Sequence, residues 1–255
     1  MTASTRLELI AVPGLPLVRA GDDLAGLVLE RLGTAGLVLQ DGDTLAFAQK
    51  IISKAEGRIV NLATIAPSPR AVEVARVACK DPRLVEVILR ESRRIVRCAR
   101  DVLIVEHRLG FVMANAGVDQ SNVTGGGEFA LLLPEDPDAS AAVLREAFRA
   151  RAGRDVAVLI NDSFGRAWRQ GTAGIAIGCA GLPALVDLRG EPDLFDRRLR
   201  VTVVGHADEI AAAASLLMGQ SAEGQPVILI RGLRRDRPAT PAAALIRPAA
   251  EDLFR

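Results

Sequence analysis

Residues 155–162, DVAVLIND, set five apolar side chains in a row and end on an aspartate. So short and apolar a run reads as a buried strand, and a buried strand obliges the rest of the chain to cover it. The covering elements are legible. Residues 22–33 predict a helix that starts on acidic residues and ends at Gly33. Residues 68–79 and 81–97 predict two amphipathic helices, with Pro82 just inside the second. Residues 136–153 predict a helix with Asp138 as N-cap and Gly153 as its end. The stretch 199–220 predicts a strand and then an Ala-rich helix opening near Ala207–Glu209, where Asp208 and Glu209 favour the helix dipole. DTLAFAQKIIS (43–53) alternates like a strand, 101–117 predicts two strands around a turn near 108–110, and PVILIRGL (226–233) is a last clear strand. Hairpins mixed with helices predict an α+β, or mixed α/β, fold. The Pro- and Ala-rich tail, 234–255, predicts a segment lying loosely on the surface.

Several function classes drop out. The net charge is +1, aromatics make up 3% of the chain and tyrosine is absent, so nucleic acid is not the expected partner. No uninterrupted apolar run approaches the roughly 20 residues of a membrane span, and Pro13 and Gly14 interrupt the N-terminal one, so a cytoplasmic protein without a membrane partner is expected. Cys79, Cys98 and Cys179 are odd in number and far apart, as for reduced buried thiols. With only His107 and His206 available, a zinc site is not expected, and any metal should take oxygen ligands, as Mg²⁺ or Mn²⁺ does. Neither G-x-x-x-x-G-K-[ST] nor G-x-G-x-x-G is present.

Positive charge is distributed unevenly by type. Of 32 basic residues only Lys50, Lys54 and Lys80 are lysines. On a strand Lys50 and Lys54 would project from one face, where two ammonium groups suit a phosphate chain lying between them. The alternative is a solvated strand edge blunted by charge. In NAGVDQSNV (115–123), Asp119, Ser121 and Asn122 read alone as an Asx-turn and, with a cation, as an oxygen-ligand cluster. In LINDSFGRAWRQG (159–171), Asp162 stands at a strand end beside Ser163, a carboxylate–hydroxyl pair able to hold a cation and phosphate oxygens. Arg166 and Arg169 are candidates to neutralise charge on a transferred phosphoryl group. The small residues of 171–181 predict close packing. The helix ending near Gly219 runs into a polar loop containing Gln220, Glu223 and Gly224, which is also ordinary C-cap chemistry.

Together, VPGLPLV (12–18), GDDLA (21–25), ISKAEGR (52–58), NAGVDQSNV (115–123), LLLPEDPDASA (131–141), NDSFGRAWRQGTAGIAIG (161–178) and 201–233 resemble the coenzyme F420-0:L-glutamate ligase family, in its order and spacing. The resemblance extends from the N-terminal region to about Leu233. It implies an intertwined α+β fold with mixed sheets and flanking helices, no P-loop, one ligase domain over 1–233, and a homodimer. It further implies a GTP-dependent ligase using two Mg²⁺ or Mn²⁺ ions, with room for K⁺. Such an enzyme joins L-glutamate to the phospholactyl carboxylate of a deazaflavin, then adds a second, γ-linked glutamate.

Residue by residue, the resemblance places Leu15, Pro16, Leu17, Val18, Gln49, Lys50, Lys54 and Asn122 on GTP. Met218, Gly219, Gln220, Ser221, Ala222, Glu223, Gly224 and Gln225 would wrap the nucleotide. Asp119 and Asp162 would hold one metal, Ser163 and Gln220 the second, and Lys54 and Arg166 would act in catalysis. Two departures stand out: Ser163 replaces a threonine, and Asp196 occupies the glycine position of a D-L-x-G-R-x-L pattern. A γ-glutamyl ligase with a folate-type acceptor, a nucleotide-binding homologue without turnover and a plain structural domain are the rival readings.

Overall fold

The computed structural model describes residues 6–122, 126–233 and 236–252. Val123 of the NAGVDQSNV segment and residues 234, 235 and 253–255 of the tail lie outside the described residues. In chain order the elements are β1 (Glu8–Ala11), α1 (Leu24–Thr34), β2 (Thr44–Ala48), α2 (Gln49–Ala55), β3 (Ile59–Asn61), α3 (Pro69–Ala78), α4 (Pro82–Arg90), β4 (Ser92–Ala99), β5 (Val102–His107), β6 (Val112–Ala114), β7 (Phe129–Leu131), α5 (Pro137–Ala152), β8 (Ala157–Arg166), β9 (Arg169–Ala180), β10 (Val186–Asp187), β11 (Val203–Val204), α6 (His206–Met218) and β12 (Val227–Arg231). This is the expected α+β mixture.

A five-stranded sheet in the order β1-β12-β2-β8-β9 forms the centre. Within it β2 and β8 run parallel, and the other neighbours are antiparallel. Each face has its own cover. Leu45, Phe47, Val158, Ile160 and Leu229 pack with Val28 and Leu32 of α1 and Phe148 of α5. Ala46, Leu159, Ile228 and Ile230 point the other way, onto Ala207, Ile210, Ala211 and Ala214 of α6. Burial on both faces explains why 156–160 shows no polar alternation. Leu159 and Ile160 are fully buried, which stabilises the fold by about 1.5–3 kcal/mol for each. The glycines of β9 allow the close cover: a Cβ on Gly174 would overlap Ser215 Oγ and the Ala211 carbonyl, and one on Gly178 would overlap the Pro137 backbone.

After α2 the chain leaves this sheet and builds a separate core, in which Leu62, Ala75, Val85, Ile88, Leu103, Val105, Val118 and Ala130 pack together. It holds the sheet β4-β5-β6 and the pair β3-β7. The chain then returns through α5, whose N-cap Asp136 accepts from Ala139 N–H at 3.0 Å and whose C-cap is Gly153 at φ 63°.

Several expectations are corrected. Residues 43–53 are not one strand, because β2 ends at Ala48 and α2 begins at Gln49. The helix expected over 81–97 stops at Arg90, and 92–99 form β4. Asp162 does not end its strand, since β8 continues to Arg166. Asp136, not Asp138, caps α5. Asp138 instead accepts from the N–H groups of Cys179, Ala242 and Ala243 at 2.8, 2.8 and 3.1 Å. That carboxylate pins the described part of the tail, where Ala242 is fully buried, so this segment is docked rather than loose. All three cysteines are free, but only Cys179 is buried and Cys79 is exposed. No described helix is long and apolar enough to cross a membrane.

Candidate active site

Strand register does the assembling. In the parallel pair, Ala48 of β2 lies opposite Asn161 of β8, so the chain turning into α2 runs beside Asn161, Asp162 and Ser163. Val227 of β12 lies opposite Phe47, and Ala48 N–H donates to the Pro226 carbonyl at 2.8 Å, which brings the segment 219–226 to the same edge. The opening loop arrives there too, held by Val12 N–H on the Val227 carbonyl (2.9 Å) and Gly21 N–H on the Ala55 carbonyl (2.8 Å). The excursion contributes its return segment, where Asp119 and Leu131 exchange backbone hydrogen bonds of 3.0 and 2.8 Å. The carboxyl ends of parallel strands are where open α/β sheets commonly bind ligands.

These segments enclose a cavity of about 1100 Å³. Its wall contains Leu15–Val18, Gln49, Lys50, Lys54, Asp119, Asn122, Asp162, Ser163 and all of Met218–Gln225. Lys50 and Lys54 do share a face, although for a different reason than expected: on the helix α2 they stand at i and i+4. Arg166 is not in this wall; it lies three residues beyond Ser163, at the end of the β8–β9 hairpin. Arg19 and Asn161 are in the wall and were not singled out from the sequence. Arg19 directly follows the opening-loop segment and Asn161 directly precedes Asp162, so adjacency was the available signal.

Lys50 Nζ lies 2.8 Å from Asp119 Oδ2 and donates to Ser121 Oγ at 2.6 Å. Ser121 also caps that carboxylate, its N–H donating to Oδ1 at 2.7 Å. Burial works to raise the Asp119 carboxyl, but the Lys50 ammonium and Ser121 outweigh it and hold it below the usual range. Lys54 Nζ donates to the Asn122 carbonyl at 2.8 Å. Burial and then the neighbouring Lys50 charge push its ammonium pKa down. Asn122 Nδ2 reaches the Ser221 carbonyl at 3.3 Å, and Ser163 Oγ donates to Gln220 Oε1 at 2.8 Å, so the 219–226 segment is tied both to the turn after Asp119 and to β8. Glu223 folds back onto its own loop, where the N–H of Ser221 (2.8 Å) and its neighbours lower its pKa.

Asp162 differs from the others. Burial pushes its carboxyl up to about 6, the Asp119 charge adds to the rise, and the Ser163 N–H and the Lys50 charge only partly offset it. A half-buried carboxylate beside a second carboxylate, with one backbone donor, is short of positive charge. Among the described residues no three of His, Cys, Asp and Glu cluster. The available donors are therefore oxygens from two carboxylates, a hydroxyl and a carboxamide. That set is of the kind that could hold a hard divalent cation, with positions left over for further oxygen ligands.

Asp196 keeps the geometry that a glycine would have there: its φ is 59°, in the left-handed region that aspartate tolerates better than most residues.

The family model described as F420-0:Gamma-glutamyl ligase matches residues 14–232. The chain is 48% identical over 254 residues to the Coenzyme F420:L-glutamate ligase of Methanothermobacter thermautotrophicus, covering 98% of this chain and 99% of that protein. It is 47% identical over 253 residues to the protein of the same name from Methanopyrus kandleri, covering 98% of each. Against that from Methanocaldococcus jannaschii it is 41% identical over 252 residues, with 98% and 97% covered.

Proposed function

The chain belongs to the F420-0:gamma-glutamyl ligase family, and from that membership we propose that it is a GTP-dependent ligase that joins L-glutamate to the phospholactyl carboxylate of F420-0 and then adds a second, γ-linked glutamate. The observation that carries this reading is the convergence of two lysines, two aspartates and a serine, from segments far apart in sequence, on one cavity.

Direct condensation of a carboxylate with an amine would have to expel oxide. Activation replaces that leaving group: the γ-phosphoryl group moves to a carboxylate oxygen of the acceptor, GDP departs, the glutamate amine attacks the acyl carbon, and phosphate leaves. The chain's task is to bring two anions together. Asp119 and Asp162 would hold one Mg²⁺ or Mn²⁺ ion, with Ser163 and Gln220 at a second. Bound there, such ions would screen the repulsion between triphosphate and carboxylate. Lys54 neutralises phosphate charge from the same face as Lys50, which can exchange Asp119 for a phosphate oxygen. The loop 218–225 and Leu15–Val18 cover the nucleotide and exclude water. Arg166 lies outside this wall, at the end of the β8–β9 hairpin.

The same reading makes the protein a homodimer. Its support is a set of large apolar side chains left in solvent, with Trp168 89% and Leu194 98% exposed and Phe195 and Val201 also open. Size-exclusion chromatography with light scattering reads the oligomeric state directly.

The decisive assay incubates the protein with GTP or ATP, Mn²⁺, glutamate and either F420-0 or a folate, and reads product masses. Mass gains of one and two glutamates on the deazaflavin alone are expected. Product on folate alone would give the site a different acceptor, product with ATP but not GTP would remove the nucleotide assignment, and nucleotide binding without any product would make the protein a non-catalytic homologue.

A further inference from the structure

Asn161 stands out against its strand. The four residues before it, Ala157–Ile160, are apolar and fully buried, and Asn161 itself is only 5% exposed. An amide is an expensive side chain to place there unless its hydrogen bonds are used. One side of it is. Nδ2 donates to Ser215 Oγ at 2.9 Å and lies 3.2 Å from Met218 Sδ, so it reaches the last turn of α6 at two points. The backbone is adjusted for this: the β8–β9 register shifts between Ile160 and Asn161, and such irregularities re-aim side chains beside active sites. The neighbouring strand makes room as well. A Cβ on Gly174 of β9 would overlap Ser215 Oγ and come 2.7 Å from Asn161 Oδ1.

The contacts form a ring. Asn161 holds Ser215 and Met218, Met218 leads through Gly219 into Gln220, and Gln220 Oε1 accepts from Ser163 Oγ at 2.8 Å, two residues after Asn161 on the same strand. The start of the 219–225 loop is thus held to β8 at two points, with Asp162 between them on the strand.

We propose that Asn161 is a positioning residue of this site: its carboxamide, acting through Ser215 and Met218, sets the position of the 219–225 loop over the bound nucleotide. The inference rests on the nucleotide reading above and adds a residue that touches no phosphate. A hydroxyl at 215 and a donor at 161 are both required. Asn161→Leu keeps the bulk but removes the hydrogen-bonding amide, Ser215→Ala removes the acceptor, and Ser215→Thr keeps it.

The test measures the GDP·Mn²⁺ dissociation constant by calorimetry, together with amide exchange of residues 219–225, for wild type, Asn161→Ala, Asn161→Leu, Ser215→Ala, the Asn161→Ala/Ser215→Ala double variant and Ser215→Thr. Weakening of about tenfold in each disruptive single variant is expected. The double variant should weaken little further, because both changes cut one connection. Loop exchange should be faster in the disruptive variants, and Ser215→Thr should bind like wild type. Should Asn161→Ala not fold, Ser215→Ala on the half-buried flank of α6 carries the same prediction. Variants that melt lower but bind nucleotide as wild type does, with unchanged loop exchange, overturn the inference and leave the nucleotide reading standing. A wild type that binds no nucleotide overturns both.

Discussion

Replacing Asp162 by asparagine should stabilise the metal-free protein while abolishing its activity. The carboxyl ionises at about 6 in the folded chain against 3.8 as an ordinary aspartate, because burial and Asp119 disfavour its charge. Below about pH 4 it is protonated in both the folded and the unfolded chain and costs nothing. Between those values the folded chain keeps a proton that the unfolded chain has released. Above about 6 the folded chain carries a half-buried carboxylate, and the cost is complete. A tenfold change in acidity corresponds to about 1.4 kcal/mol, so the full cost near neutrality is roughly 3 kcal/mol. Asparagine can still accept the 2.8 Å hydrogen bond from Ser163 N–H but is imperfectly matched to the site, so a net gain of about 1–3 kcal/mol is expected. The assay is urea unfolding of both proteins with a chelator present, at pH 4.5, 6 and 7.5. The advantage of Asp162→Asn should grow as pH rises and should reverse in millimolar Mn²⁺, where wild type gains binding energy and the variant does not. A variant equal to or less stable than wild type in chelator at pH 7.5, or a difference that does not change with pH, would refute the argument.

Lys54→Ala should weaken GTP binding by about ten- to a hundredfold, roughly 1.4–2.7 kcal/mol, with little change in melting temperature. Its ammonium is already disfavoured by burial and by Lys50, and isothermal titration calorimetry beside a thermal melt separates the two effects. Gly174→Ala should cost about 1–3 kcal/mol in urea unfolding, since the added methyl meets the Ala211 carbonyl, a backbone atom that cannot step aside. Saturating GTP at about 100 times its Kd should add roughly 2.7 kcal/mol, which raises Tm by roughly 5–10 °C in a chain of this size; the rise should vanish in chelator.

Errors in reading the elements cluster where local preference and packing disagree. Ile51 and Ile52 are β-branched and continue the apolar pattern of β2, so a strand extending through them was the natural reading. In the fold both side chains are buried, as part of a helix only seven residues long, too short for its period to be seen. The conclusion about Lys50 and Lys54 survives because residues four apart share a face on either element. Residues 92–97 read as a helix continuation, yet they pair with β5, and pairing partners lie beyond any local window. Caps were more legible where the side chain acts on its own turn, as Asp23 does in accepting from Gly26 N–H at 3.1 Å. They failed at Asp138, whose carboxylate is used by β9 and the tail instead.

Some matters were decided by sequence alone. The apolar run at 156–160 reads as a buried strand and 226–233 as a further strand, and scarce histidine means that any metal would take oxygen ligands. Which of those side chains meet was decided by the tertiary structure. Lys50, Asp119 and Asp162 are joined by the parallel register of Ala48 with Asn161, by the return of a long excursion, and by the path of the loop after α6. The physical reason is that side-chain chemistry and local period act over a few residues, whereas register and burial act through the whole folded core. Asn161 shows the boundary: its identity can be read in the chain, but its purpose depends on a helix end more than fifty residues away.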